Sequence, residues 1–314
     1  MEAELLSVQR IWDRAPHNAF TDLIRWDGRF WCAFREGRGH VSTDGRIRVL
    51  VSKDLEKWGS AGLLEMAGFD LRDASLSVTP DNRLMVLGGA APRPRDGVGA
   101  PTGSFVSFSA DRKTFTKPEI VVQPGRWLWR VTWHKAAAYG VSYPANEGKA
   151  VRLLTSKDGR TWRTLVEDLF DKGQPNEATP RFDDDGTCLL MMRRERATGI
   201  LGIARPPYTR WTWHEQPDHP VFGGPNLIRT PVGLLAAGRQ YRPDVRTILT
   251  AFDPATWKMR TILVLPSGGD TSYPGLVWHD GVLYVSYYSS HERKTSIYLA
   301  KVRLKPAPGT QPGK

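Results

Sequence analysis

Apolar residues along the chain fall in short runs broken by Gly, Pro, Asn and Asp, and no 3.6-residue apolar period persists. The pattern predicts short strands joined by tight turns. Several runs come in pairs about a turn. "TDLIRWDGRFWCAFRE" turns at Asp27-Gly28, "RDASLSVTPDNRLMVLGG" at Asp81-Asn82, "NEATPRFDDDGTCLLMMRR" at Asp185-Gly186 and "SYPGLVWHDGVLYVSYYSS" at Asp280-Gly281. Asp-Gly between apolar runs is a strong local signal for a hairpin, because both turn residues need positive φ. "WRVTWHKAAAYGVSYP" and "NLIRTPVGLLAAGRQ" are weaker copies in phase with the rest.

A second feature repeats with the hairpins. Five segments place a strand before a small-polar turn that closes on an aromatic residue: Trp58, Phe115, Trp162, Trp211 and Trp257, at intervals of 57, 47, 49 and 46 residues. That spacing suits a four-stranded propeller blade. In the clearest copy, Ser156 to Trp162, Ser and Asp cap the turn, Gly159 allows positive φ and the Trp packs between blades. A sixth copy, from Thr295, lacks the turn.

Six hairpins, each followed by a strand and turn, predict an all-β fold: a six-bladed β-propeller of four-stranded antiparallel blades, filling residues 1–304 as one domain. The last blade is short of a fourth strand, and "LLSVQRIW" from Leu5 is left over, so the N-terminal strand is expected to close the ring. The Pro/Gly-rich residues 305–314 read as a disordered tail.

Composition narrows the function classes. With 44 Lys+Arg against 33 Asp+Glu the net charge is +11, which favours an anionic partner. The arginines are scattered through strands, and there is no zinc spacing, RNA-recognition aromatic pair or basic recognition helix, so nucleic acid is not expected. Cys32 and Cys188 are too few for a disulfide framework or metal cluster and read as buried small residues. No apolar stretch approaches membrane-spanning length, and no signal pattern opens the chain. The chain reads as soluble, with the compartment open between cytoplasmic and secreted or periplasmic.

In a propeller the six innermost strands begin at one face of the channel, and the second strands end there. This rule gathers Asp22, Arg72, Asp73, Arg130, Glu177, Asn226 and Tyr273 at the starts, and Arg35, Arg38, Arg193, Arg194 and Arg239 at the ends. Converging arginines present rigid forks of donors suited to an anionic ligand. The competing reading pairs them with Asp22, Asp73 and Glu177 as a structural network. His17, His40 and His291 fall in loops on the same face without metal-ligand spacing, so they are expected as substrate contacts or exposed residues, with no metal and no cofactor.

These residues carry a family resemblance. "CAFREGRGHVSTDGRIRVLVSKD", "PNEATPRF", "DVRTILTAF" and "TSYPGL", in that order, resemble sialidases (neuraminidases), six-bladed glycoside hydrolases whose blades carry Asp-box turns. The resemblance implies Tyr273 as nucleophile with Glu177 as its partner and Asp44 as general acid/base. It also implies Arg38, Arg193 or Arg194, and Arg246 or Arg239, as substrate-holding arginines. Sialidases with a tyrosine nucleophile stand outside the usual two-carboxylate scheme. An anionic nucleophile would be repelled by a carboxylate at the anomeric carbon. The chain departs from the family where an arginine precedes the first inner strand: Thr21 or Asp22 stands there. Arg35, Arg72 or Arg130 then takes over that arm of the clamp, or the sugar differs.

The expected activity is therefore exo-acting retaining hydrolysis of a terminal sialic acid or related acidic sugar, on a glycan or glycoconjugate. Two alternatives stay open. One is a glycosidase or lyase of another mechanism, using Asp22, Asp73 and Glu177. The other is a propeller that binds glycans without turning them over.

Overall fold

The computed structural model describes residues 1–93, 102–122, 124–145 and 150–306. The first blade is formed by β2 (His17–Trp26), β3 (Arg29–Gly37), β4 (Arg46–Ser52) and β5 (Gly59–Leu64), after β1 (Glu2–Trp12), which belongs elsewhere. The second has β6 (Phe69–Val78), β7 (Leu84–Pro92), β8 (Gly103–Ser109) and β9 (Glu119–Ile120). The third has β10 (Arg126–His134), β11 (Ala137–Pro144), β12 (Val151–Ser156) and β13 (Trp162–Phe170). The fourth has β14 (Pro175–Phe182), β15 (Cys188–Arg194), β16 (Thr198–Ala204) and β17 (Thr212–Pro220). The fifth has β18 (Gly223–Thr230), β19 (Gly233–Gln240), β20 (Arg246–Phe252) and β21 (Met259–Val264). The sixth runs β22 (Thr271–His279), β23 (Val282–Ser289), β24 (Ser296–Lys305) and then β1, whose Glu2 pairs with Lys305. Every pairing is antiparallel, and the six sheets make the predicted six-bladed β-propeller closed by its N-terminal strand. Lys305 still lies in β24, and residues 307–314 of the expected tail fall outside the described residues.

Six apolar clusters separate the six blades, and they explain the sequence pattern. In β15, Cys188, Leu190 and Met192 pack towards the third blade, while Leu189 and Met191 pack towards the fifth. A strand covered on both faces reads as the unbroken run "CLLMM" where a half-exposed strand would alternate. Cys32 and Cys188 are free thiols inside these clusters, and burial pushes both up in pKa.

The polar turns share one hydrogen-bond scheme. Asp158 Oδ1 accepts from the Arg160 and Thr161 amides at 2.7 Å, Ser156 Oγ accepts from Gly159 N, and Trp162 Nε1 donates to Gly159 O. Asp54 and Asp111 accept from the amides two and three residues on in the same way. In the fifth blade Asp253 does so with Ala255 and Thr256. At the hairpins, Asp27 and Gly28 have φ of 48° and 71°, and Asp280 and Gly281 49° and 75°, the mirror-image turn that the Asp-Gly pairs call for.

Candidate active site

Each innermost strand breaks register at the same place, near its start. The breaks fall between Ala19 and Asp22, Arg72 and Ser75, Leu128 and Val131, Pro175 and Ala178, Gly223 and Asn226, and Ser272 and Gly275. A bulge inserts an unpaired residue and re-aims its side chain. Phe20, Asp73, Gly224 and Tyr273 sit in these bulges with φ of 62°, 54°, 58° and 50°, a region that non-glycine residues seldom enter. Phe20, Asp73, Trp129, Arg130 and Tyr273 line one small cavity at the channel mouth.

Two bulges meet across the channel. Tyr273 Oη donates to Glu177 Oε1 at 2.5 Å. Arg193 Nη1 donates to the same oxygen at 3.0 Å and reaches Tyr273 Oη at 3.4 Å, while its Nη2 donates to Glu195 at 3.0 Å. Glu177 Oε2 accepts from Gly224 N at 2.6 Å. Gly224 has to be glycine, because a Cβ there would stand 2.8 Å from the Tyr273 ring. The ring is walled by Phe20 at 5.1 Å, Trp129 at 5.7 Å and Tyr288 at 6.0 Å, with Arg239 over it at 5.4 Å. Burial, then the Glu177 charge, raise the Tyr273 phenol well above its ordinary pKa against the pull of Arg193 and Arg239. The raised phenol keeps its proton and aims it at the Glu177 side chain. Trp129 Nε1, Arg193 Nε and Tyr241 Oη are buried without a hydrogen-bond partner among the described residues.

Asp73 is a further carboxyl at the mouth, lining the same cavity as Tyr273. Burial raises its pKa to about 7 against the pull of Arg72, with the Glu177 charge adding to the rise. A carboxyl titrating there can both give and take a proton near neutrality.

The remaining residues singled out in the sequence separate by what they touch. Arg35 is fully buried and donates to Asp70, Gly39 O and Ser42, so it holds the 39–45 loop in place. Gly45 ends that loop where a Cβ would lie 2.0 Å from Asp70 Oδ1. Arg72 pairs with Asp70 Oδ2. Asp22 and Arg130 are both buried and form an ion pair at 2.5 Å. Asp22 also accepts from the Leu23 and Leu76 amides, and Arg130 donates to Thr21 O and Pro274 O, which ties four inner segments together. Asn226 donates to Pro274 O and accepts from Arg181 lower in the same channel.

Of the two neighbouring arginines on β15, Arg193 reaches the tyrosine centre. Arg194 turns the other way, to Thr198 and Glu215. Arg239 lies at the centre, donating to Thr271 O at 2.7 Å and Tyr288 Oη at 2.6 Å, whereas Arg246 pairs with Asp244 and donates to Ser267 O. Adjacent residues on a strand face opposite sides, so one position of register decides such choices.

Asp44 lies in a separate groove of 750 Å³ over the first blade, lined also by Arg14, Arg38, Arg46, Arg48 and Arg93. It is paired with the exposed Arg38 at 3.2 Å. Burial pushes its carboxyl up, but hydrogen bonds from Ser42 and the Arg38 amide and the Arg38 charge outweigh this and hold it below its ordinary pKa.

Asp270 was not singled out in the sequence, although it stands three residues before Tyr273. Its Oδ2 is 2.8 Å from both His17 Nε2 and His40 Nδ1, and its Oδ1 accepts from Tyr288 Oη at 2.9 Å. His291 instead contacts Ser289 Oγ at 2.8 Å.

No family model and no curated protein matches the chain by sequence. Solved structures match it by fold. A Dyadobacter fermentans protein of unknown function superposes with a TM-score of 0.79 at 19% identity, covering 97% of this chain and 100% of that one. Trypanosoma rangeli sialidase in complex with 2,3-difluorosialic acid, described as a covalent intermediate, gives 0.72 at 12% identity over 96% of this chain and 59% of that one. NanB sialidase from Streptococcus pneumoniae gives 0.70 at 10% identity over 91% and 68%. At these identities the likeness is one of fold: this is a propeller of the shape that sialidases use.

Proposed function

We propose that the protein is a retaining glycoside hydrolase of sialidase-like type, with Tyr273 as nucleophile. The observation that carries the reading is the 2.5 Å contact of Tyr273 Oη with Glu177, fixed by Arg193 and Gly224 at the channel mouth. Glu177 takes the phenolic proton as Tyr273 Oη bonds to the anomeric carbon. A carboxylic acid gives its proton to the leaving oxygen as the glycosidic bond breaks. The resulting carboxylate then takes a proton from water, whose oxygen displaces Tyr273, and the phenoxide recovers its proton from Glu177. Two inversions give retention.

The acid in this scheme is Asp73, whose pKa near 7 and place beside Tyr273 suit the work. The resemblance assigns that work to Asp44, which is held ionised by Arg38 and its loop. The ligand is a sugar. Among the described residues, Trp129 Nε1, Arg193 Nε and Tyr241 Oη are buried around the centre without a hydrogen-bond partner, and a hydroxyl-rich guest that displaces its walls would supply acceptors. Arg193 and Arg239 are the arginines placed to meet an acidic group, such as the carboxylate of sialic acid.

A second reading, a glycosidase for a neutral sugar, draws support from the charge pairing: Arg193 faces Glu177 and Glu195, Arg239 faces Asp270, and Arg130 faces Asp22. Turnover of aryl sialosides, aryl uronides and neutral aryl glycosides by the parent and by Tyr273→Phe separates the readings. Loss of turnover in Tyr273→Phe and a mass increase on Tyr273 from a 2,3-difluoro sugar are expected. Undiminished turnover would sink the tyrosine mechanism.

A further inference from the structure

We propose that His17, His40 and Asp270 form a binding site for a divalent transition-metal ion, Zn²⁺ or a similar borderline cation. The three residues come from the start of β2, the loop before β4 and the segment before β22, and no spacing along the chain foretells their meeting. One ligand atom from each lies within 4.8 Å of the others, and two imidazole nitrogens converge on a single carboxylate oxygen at 2.8 Å. Imidazole and carboxylate suit such an ion. Metal–ligand bonds of about 2.0–2.2 Å put tetrahedral ligand atoms about 3.4 Å apart, so the ion has to spread the two existing contacts by roughly half an ångström and bring the two imidazole nitrogens, now within 4.8 Å of each other, to a similar separation. His40 is free to give way: its side chain is 45% exposed. His17 and Asp270 supply the firm side, since His17 is buried, Asp270 Oδ1 is held by Tyr288 and the Asp270 amide donates to Ser290 Oγ.

Three protein ligands leave a coordination position for water or a ligand, the pattern of catalytic rather than structural zinc. The cluster stands beside the tyrosine centre: the His40 ring is 5.0 Å from Phe20, which is 5.1 Å from Tyr273. A cation held there would add positive charge beside the place where the proposed substrate's acidic group is met. That consequence rests on the reading of the site as a glycosidase; the binding of metal does not. Two features weaken the site. Arg239 lies 3.6 Å from Asp270 Oδ1, and among the described residues His17 Nδ1 has no hydrogen-bond partner to fix its ring. A partner that holds the far side of a ligating side chain is worth about 10–100-fold in affinity, so binding weaker by about that factor than at a fully braced site is expected.

The test uses the full chain without a polyhistidine tag, stripped by chelator and titrated calorimetrically with ZnCl₂, then with CoCl₂ while visible absorption is followed. One equivalent of Zn²⁺ and the absorption bands of low-coordinate Co²⁺ are expected. His40→Ala, on an exposed loop and safe for folding, should weaken binding at least tenfold, as should His17→Gln. His214→Ala and Tyr273→Phe should leave it unchanged. Tyr273→Phe thereby separates this claim from the proposed chemistry. Absence of a stoichiometric site, or binding indifferent to both His17→Gln and His40→Ala, would show that the trio is only a hydrogen-bonded brace for the 39–45 loop.

Discussion

A carboxyl withdrawn from water and set near a second carboxylate keeps its proton to higher pH, and Asp73 is in that position. Its folded pKa of about 7 lies above the roughly 3.9 of an unfolded aspartate. The sign follows: the stability it confers is complete below about pH 4 and is lost as the pH rises through 7. Asp73→Asn should therefore remove a fall in denaturant midpoint between pH 4 and 8 and leave the variant the more stable of the two at pH 8. Parallel midpoint curves for parent and variant would refute the shift. If Asp73 is the acid, the same variant loses about 10²–10⁴-fold in turnover together with the basic limb near pH 7, and Asp44→Asn does neither. Residue types at the mouth were legible from strand starts and ends, because that rule follows from topology alone. Which way each points was not: Arg193 and Arg194 differ by one position and face opposite sides of a blade, and Asp270 meets His17 across 253 residues.

The inner strands would deliver a different set of side chains if they were regular. Their bulges put Phe20, Asp73 and Tyr273 in left-handed conformations and leave room for Gly224 against the tyrosine ring. Gly224→Ala adds a methyl 2.8 Å from that ring at a φ of 58°, so the ring or the bulge must shift. The expected result is a loss of roughly 1–3 kcal/mol in stability and a larger loss of turnover than of substrate affinity, measured by denaturant unfolding and by steady-state kinetics. Unchanged kinetics would mean that the Tyr273–Glu177 contact does not govern the reaction. Strands and hairpin turns could be read from the sequence because their signals are local, in runs such as "CLLMM" and pairs such as Asp280-Gly281. A bulge is a mismatch between two strands, and neither strand announces it alone.

At the scale of the molecule, closure depends on β1 lying beside β24. Met1, Ala3, Leu5 and Val8 pack against the cluster between the fifth and sixth blades, and Trp12 is buried between the sixth and first. Removing residues 1–11 should expose the edge of β24, lower the melting temperature and increase self-association relative to the parent. A melting temperature and sedimentation profile equal to the parent's would show that the ring holds without its clasp. The sequence foretold this strand by elimination, as the one apolar segment without a blade.

That pairing also orders events in time. Glu2 can pair with Lys305 only once β24 has been made, after the hairpins of all the blades between them, so β1 is seated late. During elongation five blades can assemble from neighbouring hairpins, while β1 waits with its backbone amides and carbonyls unpaired. Glu2, Glu4 and Arg10, exposed on the folded strand, are charges of the kind that discourage pairing between copies of an open edge.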